Sequence, residues 1–183
     1  MQRNMRIYLD TSAYVKGFNE EARSDVIEDI FDKCEQKRLE IVTSWWTISE
    51  SIAALDQAFR KKGIILKPQR NAAISSLLGK TSDLSKQESL ILVEMNEKII
   101  VASWEIIRRM HLSADDALHL FTAKVGKCDL MVVADNYFWE RFKTEPDIEE
   151  HEDIGEEIRF PFDVYNILID EDYQLLKSKI AAL

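Results

Sequence analysis

The sequence predicts an α/β fold built on a mainly parallel sheet that helices cover on both faces. Short apolar runs, such as those at residues 5–9 and 130–135, alternate with longer segments whose apolar residues recur at helical spacing. Strands that alternate with helices are typical of a parallel sheet buried between helical layers. A length of 183 residues suits one domain with a proper core, and we expect one domain over 1–183.

The first half of the chain contains two predicted strands and three predicted helices. In the first helix, Val26, Ile30 and Cys34 share helical spacing, and glycine or proline marks the bounds of the later helices. In chain order we predict a strand at 5–9, a helix at 21–37, a strand at 39–44 ("LEIVTS"), a helix from Trp45 to near Gly63, and a short helix from Pro68 to Gly79.

The second half begins with a segment, 83–111, that is predicted to be mostly helical. Ser85 and Glu88 have capping-box spacing, and the middle of the segment, "KIIVAS" at 98–103, could instead be a strand. The elements predicted after it are a helix capped by Ser113 and ended at Gly126, a strand at 130–135, a short helix from Tyr137, an acidic loop, the apolar stretch "FPFDVYNILI", and a last helix capped by Asp170 with Leu175, Leu176 and Ile180 facing inward.

The composition is that of a soluble globular protein, with 46% hydrophobic and 31% charged residues. No apolar run is long enough to cross a bilayer, and the N-terminus lacks the pattern of a secretory signal. Cys34 and Cys128 lie outside any C-x-x-C pattern, so we expect both thiols to be reduced and buried. We therefore expect a cytoplasmic protein that does not associate with membranes.

The net charge of −9 argues only weakly against a nucleic-acid partner, because much of it lies in one segment. Residues 145–157, "EPDIEEHEDIGEE", hold eight acids and no Lys or Arg, and the rest of the chain has 24 basic residues against 25 acidic ones. The simplest interpretation of this segment is a solvated loop. The alternative is that it docks a basic partner segment or shields a cleft.

Two of the predicted strands end in a carboxylate, Asp10 in the first and Asp135 in "LMVVAD". If these strands are close neighbours in a parallel sheet, both carboxylates lie at the edge where α/β proteins bind ligands. Two bare carboxylates would repel each other, and a divalent cation would remove the repulsion, because hard oxygen ligands suit Mg²⁺ or Mn²⁺. The simpler interpretation of Asp10 is a helix cap.

Two further acids could reach the same edge from the starts of helices. Glu50 lies in the helix after "LEIVTS", and Asp116 follows the cap residue Ser113 by three positions. Each acid alone would more often be structural, since acids in first turns favour the helix dipole. Asp115 competes with Asp116, and we expect one of the two to face solvent.

Four short motifs occur in order along the chain: "LDTS" at 9–12, "TSWWTISE" at 43–50, "LSADDALHLFTA" at 112–123 and "LMVVADNYF" at 130–138. Together they resemble the PIN domain family and are most similar to the single-domain ribonucleases typified by VapC-type toxins of toxin–antitoxin pairs. The resemblance covers residues 5 to 142 and leaves a C-terminal extension at 143–183. It implies a three-layer α/β/α sandwich and cleavage of RNA that depends on Mg²⁺ or Mn²⁺.

The resemblance also implies which side chains form the site. Asp10, Glu50, Asp116 and Asp135 would be the acidic cluster that holds the metal, and Thr11 or Ser12 a supporting hydroxyl. The family often has Thr or Ser two positions before its last acid, where this chain has Val133. The implied partners are RNA and an antitoxin protein, and apolar segments at 100–110 and in the tail predict a homodimer.

Two other functions remain open from the sequence: a catalytically weak PIN module that acts as an interaction or scaffold domain, and a phosphatase-like or response-regulator domain. Neither a Walker A motif nor G-x-G-x-x-G occurs in the chain. Trp45 and Trp46 could stack on bases, although aromatic residues at a strand–helix junction usually belong to the core. His119 could share a helical face with Asp116, but a packed or surface histidine is the commoner case.

Overall fold

The fold is that of a computed structural model, which describes residues 3–19, 21–61, 67–144 and 160–183. One or two helices follow each strand along these residues, and a 3-10 turn at Val15–Gly17 follows the first helix. The elements are β1 (Met5–Leu9), α1 (Thr11–Tyr14), α2 (Asp25–Glu35), β2 (Leu39–Ser44), α3 (Trp45–Lys61), α4 (Lys67–Lys86), β3 (Leu90–Val93), α5 (Glu97–Met110), α6 (Ala114–Val125), β4 (Leu130–Val133), α7 (Asn136–Thr144), β5 (Asp163–Asn166) and α8 (Asp170–Ala181).

The five strands form one sheet in the order β3-β2-β1-β4-β5, and every pair of neighbours is parallel. The first strand of the chain is therefore the central one. Leu9 of β1 lies beside Val132 of β4, and Tyr8 lies beside Val42 of β2. Because all strands run the same way, the carboxyl ends of β1, β2 and β4 meet at one edge.

Helices cover both faces of the sheet, as the sequence predicts, which gives the three layers of an α/β/α sandwich. On one face, Ile7 and Leu9 pack with buried residues of α2, α3, α4 and α8. On the other, Tyr8 and Val42 pack with buried residues of α5, α6 and α7. Side chains of a strand alternate between faces, so the apolar run in β1 contributes to both cores.

The predicted strands at 5–9 and 39–44 are confirmed, and so is the helix that Ser113 caps, because Ser113 Oγ accepts a hydrogen bond from the Asp116 backbone N–H at 3.1 Å. The prediction for 83–111 is wrong in part. Ser85 lies in the last turn of α4, which runs through Gly79, and Glu88 lies in a turn with a φ of 59°. The two therefore form no capping box.

The strand in this region is β3 at Leu90–Val93, whereas "KIIVAS" lies inside α5. The helical state of that segment is favoured locally, because the Asn96 side chain caps α5 by accepting a hydrogen bond from the Ile99 N–H at 3.2 Å. The short apolar run "LILV" lies in the sheet next to β2.

The last helix also differs in detail from the prediction. Asp170 is its first residue and pairs with Arg23, while Ile169 occupies the cap position without a side-chain cap. Leu176 and Ile180 are buried as predicted, but Leu175 is 49% exposed. The predicted helix end near Gly63 and the acidic loop at 145–157 lie outside the described residues.

Both cysteines, Cys34 and Cys128, are free and buried, as expected. Within the residues that the structure describes, no helix combines the length and the apolar character that a membrane span requires.

Candidate active site

Four acidic side chains lie at the edge of the sheet where β1, β2 and β4 end. Asp10 directly follows β1, Asp135 follows β4 after one intervening residue, and Glu50 belongs to α3, which directly follows β2. Asp116 lies in the first turn of α6. The neighbouring positions of β1 and β4 confirm the expectation that Asp10 and Asp135 share an edge.

Asp10 is buried and serves as the cap of α1. Its Oδ1 accepts a hydrogen bond from the Ala13 N–H at 2.7 Å, and Ser12 Oγ lies 2.8 Å from Oδ1 and 2.7 Å from Oδ2. Burial raises the pKa of Asp10 to about 6, and the negative charge of Asp116 contributes to the increase. The capping interpretation of this residue is confirmed, and the same side chain lies at the edge that β1 shares with β4.

Ser12 connects Asp10 to the strand that precedes Asp135. Its Oγ accepts a hydrogen bond from the Ala134 N–H at 2.7 Å while it donates to Asp10. Val133, which stands where the family often has a hydroxyl, is the last residue of β4 and is fully buried. In this chain a side chain from α1, and not one from β4, makes the hydroxyl contact at this point.

Glu50 is held by side chains from two other elements. Its Oε2 accepts hydrogen bonds from Thr11 Oγ1 at 2.7 Å and from His119 Nε2 at 3.0 Å. Burial raises the pKa of Glu50, but the hydrogen bonds from His119 and Thr11 outweigh burial, and the pKa lies below its usual value. Glu50 is therefore a carboxylate at neutral pH.

Asp116 and Asp135 repel each other across the edge. Burial raises the pKa of Asp116, and the negative charge of Asp135 raises it further. The Oδ1 atom of Asp135 accepts a hydrogen bond from the Phe138 N–H at 3.0 Å, so this acid also caps α7. Asp115 is exposed, and Asp116 is the partly buried member of the pair. One of the two faces solvent, as expected.

His119 has a more prominent place than the sequence indicated. It is 5% exposed, and both of its ring nitrogens have partners: Nε2 lies beside Glu50, and Nδ1 lies 2.8 Å from the Tyr8 hydroxyl oxygen. Reasoning from the sequence missed three side chains beneath the acids: Tyr8, Thr47 and Ser44. The signal that could have identified Tyr8 is its hydroxyl, two positions before Asp10 in the same strand.

Trp45 and Trp46 are exposed, so the prediction that they belong to the core is wrong. They are the first two residues of α3, and their exposed fractions are 61% and 40%. The Trp46 side chain also donates a hydrogen bond to Glu50. The strand-to-helix turn therefore presents indole rings at the same edge as the acids.

The chain matches the family model of the PIN domain over residues 7–145. The chain belongs to the PIN domain family. The match begins in β1 and ends just after α7, so the elements that carry all four acids lie within the PIN segment. Strand β5 and helix α8 follow that segment, and β5 completes the PIN sheet by pairing with β4.

Two solved structures share the fold. PAE2754 from Pyrobaculum aerophilum is 16% identical with a TM-score of 0.56, and the alignment covers 98% of this chain and 99% of that protein. The Mycobacterium tuberculosis toxin VapC20, which cleaves the Sarcin-Ricin loop, is 15% identical with a TM-score of 0.53, and the alignment covers 79% of this chain and 99% of the toxin. No curated protein sequence matches this PIN protein.

The donor chemistry of the edge suits a hard divalent cation, which PIN nucleases generally use. All four acids offer carboxylate oxygens, and the charges of Asp116 and Asp135, and of Asp116 and Asp10, repel each other. Among the described residues, no group of three or more His, Cys, Asp or Glu side chains is arranged so that it could hold a metal ion. The acids thus fit a divalent cation by their donor atoms, and a bound cation would have to draw their side chains together.

Proposed function

We propose that this PIN protein is an endoribonuclease that depends on Mg²⁺ or Mn²⁺ and is the toxin of a toxin–antitoxin pair. The observation that supports the proposal most strongly is the presence of Asp10, Glu50, Asp116 and Asp135 at one edge of the sheet. At that edge the charge of Asp116 repels the charges of Asp10 and Asp135, and the carboxyl ends of parallel strands are where α/β proteins bind ligands.

The reaction is the hydrolysis of an RNA phosphodiester, whose negative charge resists a nucleophile. When bound, the cation supplies neutralisation of that charge and activation of the attacking water. Asp10, Glu50, Asp116 and Asp135 would hold the cation. Ser12 and the Ala13 N–H orient Asp10, and Thr11 orients Glu50 by donating a hydrogen bond to it.

A panel of labelled structured RNAs tests the proposal, because a sequence-selective ribonuclease can ignore a generic substrate. A hairpin with the Sarcin-Ricin loop belongs in the panel, since a PIN protein of the same fold cleaves that loop. We expect Mn²⁺-dependent cleavage of at least one RNA at a defined position. If the purified protein cleaves none of them with Mn²⁺ or Mg²⁺, the nuclease proposal is wrong.

The alternative function is that of a catalytically weak PIN module that binds partner proteins. The observation that favours it is the lack of an assembled ligand set among the described acids, together with Val133 in place of a hydroxyl. RNA cleavage distinguishes the two functions, because a scaffold protein would be folded but would leave every RNA of the panel intact.

The exposed indoles of Trp45 and Trp46 are expected to stack on unpaired bases of the RNA. Base stacking on an aromatic side chain contributes roughly 1–3 kcal/mol per base, so Trp45→Ala or Trp46→Ala should weaken RNA binding by about tenfold. The measurement is fluorescence anisotropy of a labelled single-stranded RNA. Leu175→Ala is the control, because Leu175 is 49% exposed but lies on α8, away from both the acids and helix α5. Equal losses in all three variants would contradict specific stacking.

The exposed ridge of α5 is expected to form the contact of a twofold homodimer. Ile100, Val101 and Trp104 are 57%, 61% and 62% exposed, which is unusual for apolar side chains on one helix. Light scattering at micromolar concentration should give twice the chain mass of 21.3 kDa, and Val101→Glu should give a monomer. Leu78→Glu, on α4, is the control and should remain dimeric. A wild-type monomer would end this proposal.

An antitoxin partner is part of the same proposal. A toxin ribonuclease requires an inhibitor in the cell that makes it, so a small upstream reading frame with a DNA-binding pattern should accompany the gene. Co-expression of that product should relieve growth arrest caused by this protein. Arrest that persists in its presence would count against the toxin assignment and leave the nuclease assignment intact.

A further inference from the structure

A continuous chain of buried side chains runs beneath the acidic edge and ends at Glu50. Ser44 Oγ lies 3.1 Å from Thr47 Oγ1, which lies 3.0 Å from the Tyr8 hydroxyl oxygen. That hydroxyl lies 2.8 Å from His119 Nδ1, and His119 Nε2 lies 3.0 Å from Glu50 Oε2. The chain joins the end of β2, the central strand β1 and helix α6. All of its members except Glu50 are buried.

One set of hydrogen-bond directions gives every group in this chain a partner. The Glu50 carboxylate can only accept, so Nε2 of His119 carries the proton that it donates. In the neutral ring Nδ1 then accepts, and the Tyr8 hydroxyl donates to it. The Tyr8 oxygen can accept from Thr47, and Thr47 Oγ1 from Ser44, while Ser44 Oγ accepts from the Thr47 N–H at 3.2 Å.

We propose that His119 is a positioning residue that holds the Glu50 carboxylate in one orientation at the acidic edge, and that Tyr8 fixes the ring of His119 for this task. The inference rests on the proposed function, because it is tested through Mn²⁺ binding and RNA cleavage. The contacts between Tyr8, His119 and Glu50 do not depend on that function. Thr11 donates a hydrogen bond to Glu50 Oε2, and the side chain of Trp46, which is 40% exposed, also hydrogen-bonds Glu50. With His119 as a second donor on the same oxygen, the carboxylate has one favoured orientation.

Two substitutions of His119 separate positioning from packing. In His119→Gln the amide nitrogen takes the place of Nε2 and can still donate to Glu50, whereas in His119→Asn the amide ends near Nδ1 and cannot reach Glu50. Losing a residue that orients a metal ligand typically costs about 10- to 100-fold in metal affinity or activity. We expect His119→Asn to lose that much in Mn²⁺ affinity, measured by calorimetry without RNA, and His119→Gln to lose less than tenfold.

Tyrosine variants provide a matched pair of controls. Tyr8→Phe removes the hydroxyl beside His119, and Tyr14→Phe removes a buried hydroxyl that lies 2.7 Å from Thr81 Oγ1 in the other core of the protein. Both variants should have a lower melting temperature, because each loses a buried hydrogen bond. Only Tyr8→Phe should also weaken Mn²⁺ binding and lower kcat while KM for RNA stays unchanged.

Each outcome has a distinct meaning. If wild-type protein binds Mn²⁺ and cleaves RNA but the Gln and Asn variants of His119 behave alike, the positioning role is overturned and the nuclease proposal stands. If Tyr8→Phe and Tyr14→Phe weaken Mn²⁺ binding equally, the role assigned to Tyr8 is overturned. If wild-type protein neither binds Mn²⁺ nor cleaves RNA, the proposed function fails, and the positioning role fails with it.

Discussion

Replacing any one of Asp10, Glu50, Asp116 and Asp135 by alanine is expected to reduce RNA cleavage by about a hundredfold or more. The reason is that each carboxylate would contribute to holding the cation that stabilises charge in the transition state, a term that commonly reaches several kcal/mol. The assay is single-turnover cleavage of the best RNA of the panel. RNA binding by the same variants should change far less than the rate of cleavage.

Asp115→Ala is the internal control for this series. It makes the same charge change next to Asp116, but Asp115 is exposed whereas Asp116 is partly buried, so the activity of Asp115→Ala should stay near that of the wild type. Circular dichroism confirms that each variant is folded. If Asp115→Ala and Asp116→Ala lose activity to the same extent, the assignment of the site is wrong.

Removal of divalent cations is expected to abolish cleavage and to leave the buried Asp10 carboxylate as a group that destabilises the folded protein at pH 7. Burial raises the pKa of Asp10 from 3.8 to about 6 in the folded protein. Between these two values the folded state holds a proton that the unfolded chain has lost, so stability falls as the pH rises through this range. The loss from Asp10 alone is about 3 kcal/mol at most.

Melting temperatures with EDTA at several pH values measure this effect. A cation that binds the ionised acids should reverse it, so Mn²⁺ or Mg²⁺ at pH 7 should raise the melting temperature by mass action. Asp10→Asn removes the buried charge, and this variant should respond less both to pH and to Mn²⁺ without unfolding. A wild-type melting temperature that millimolar Mn²⁺ leaves unchanged, or cleavage that survives EDTA, would contradict a cation at this edge.

The sequence predicted three of the five strands, β1, β2 and β4, and missed β3 and β5. The strand runs at 5–9 and 39–44 are apolar and bounded by polar or turn residues, so their pattern alone defines them. The region 83–111 is harder to predict, because "LILV" is too short for periodicity to distinguish a strand from a helix. The cap at Asn96 also lies inside the segment that the pattern predicts as one helix. Pairing with β2 in the sheet decides that residues 90–93 form a strand.

The positions of the four acids after strands and near helix starts could be predicted, but the side chains that surround them could not. Carboxylates after strands and in first turns are visible in one dimension, whereas the link from Tyr8 to His119 joins residues 111 positions apart. The exposure of Trp45 and Trp46 also depends on where α3 leaves the sheet, and composition at a strand–helix junction favours burial. The role of Ser12 depended on a backbone N–H at Ala134, which no sequence pattern reveals.

The central position of β1 has a consequence for synthesis of the protein. β1 is synthesised first, but one of its two neighbours in the sheet is β4. Asp10 therefore comes to lie beside the end of β4 only after more than a hundred further residues have been made. Bringing such distant segments together carries a large loop-closure cost and slows folding. A nascent chain that has emerged only through α6 has three of the four acids and no β4 to complete the edge. The edge therefore stays incomplete until β4 has been made and has paired with β1.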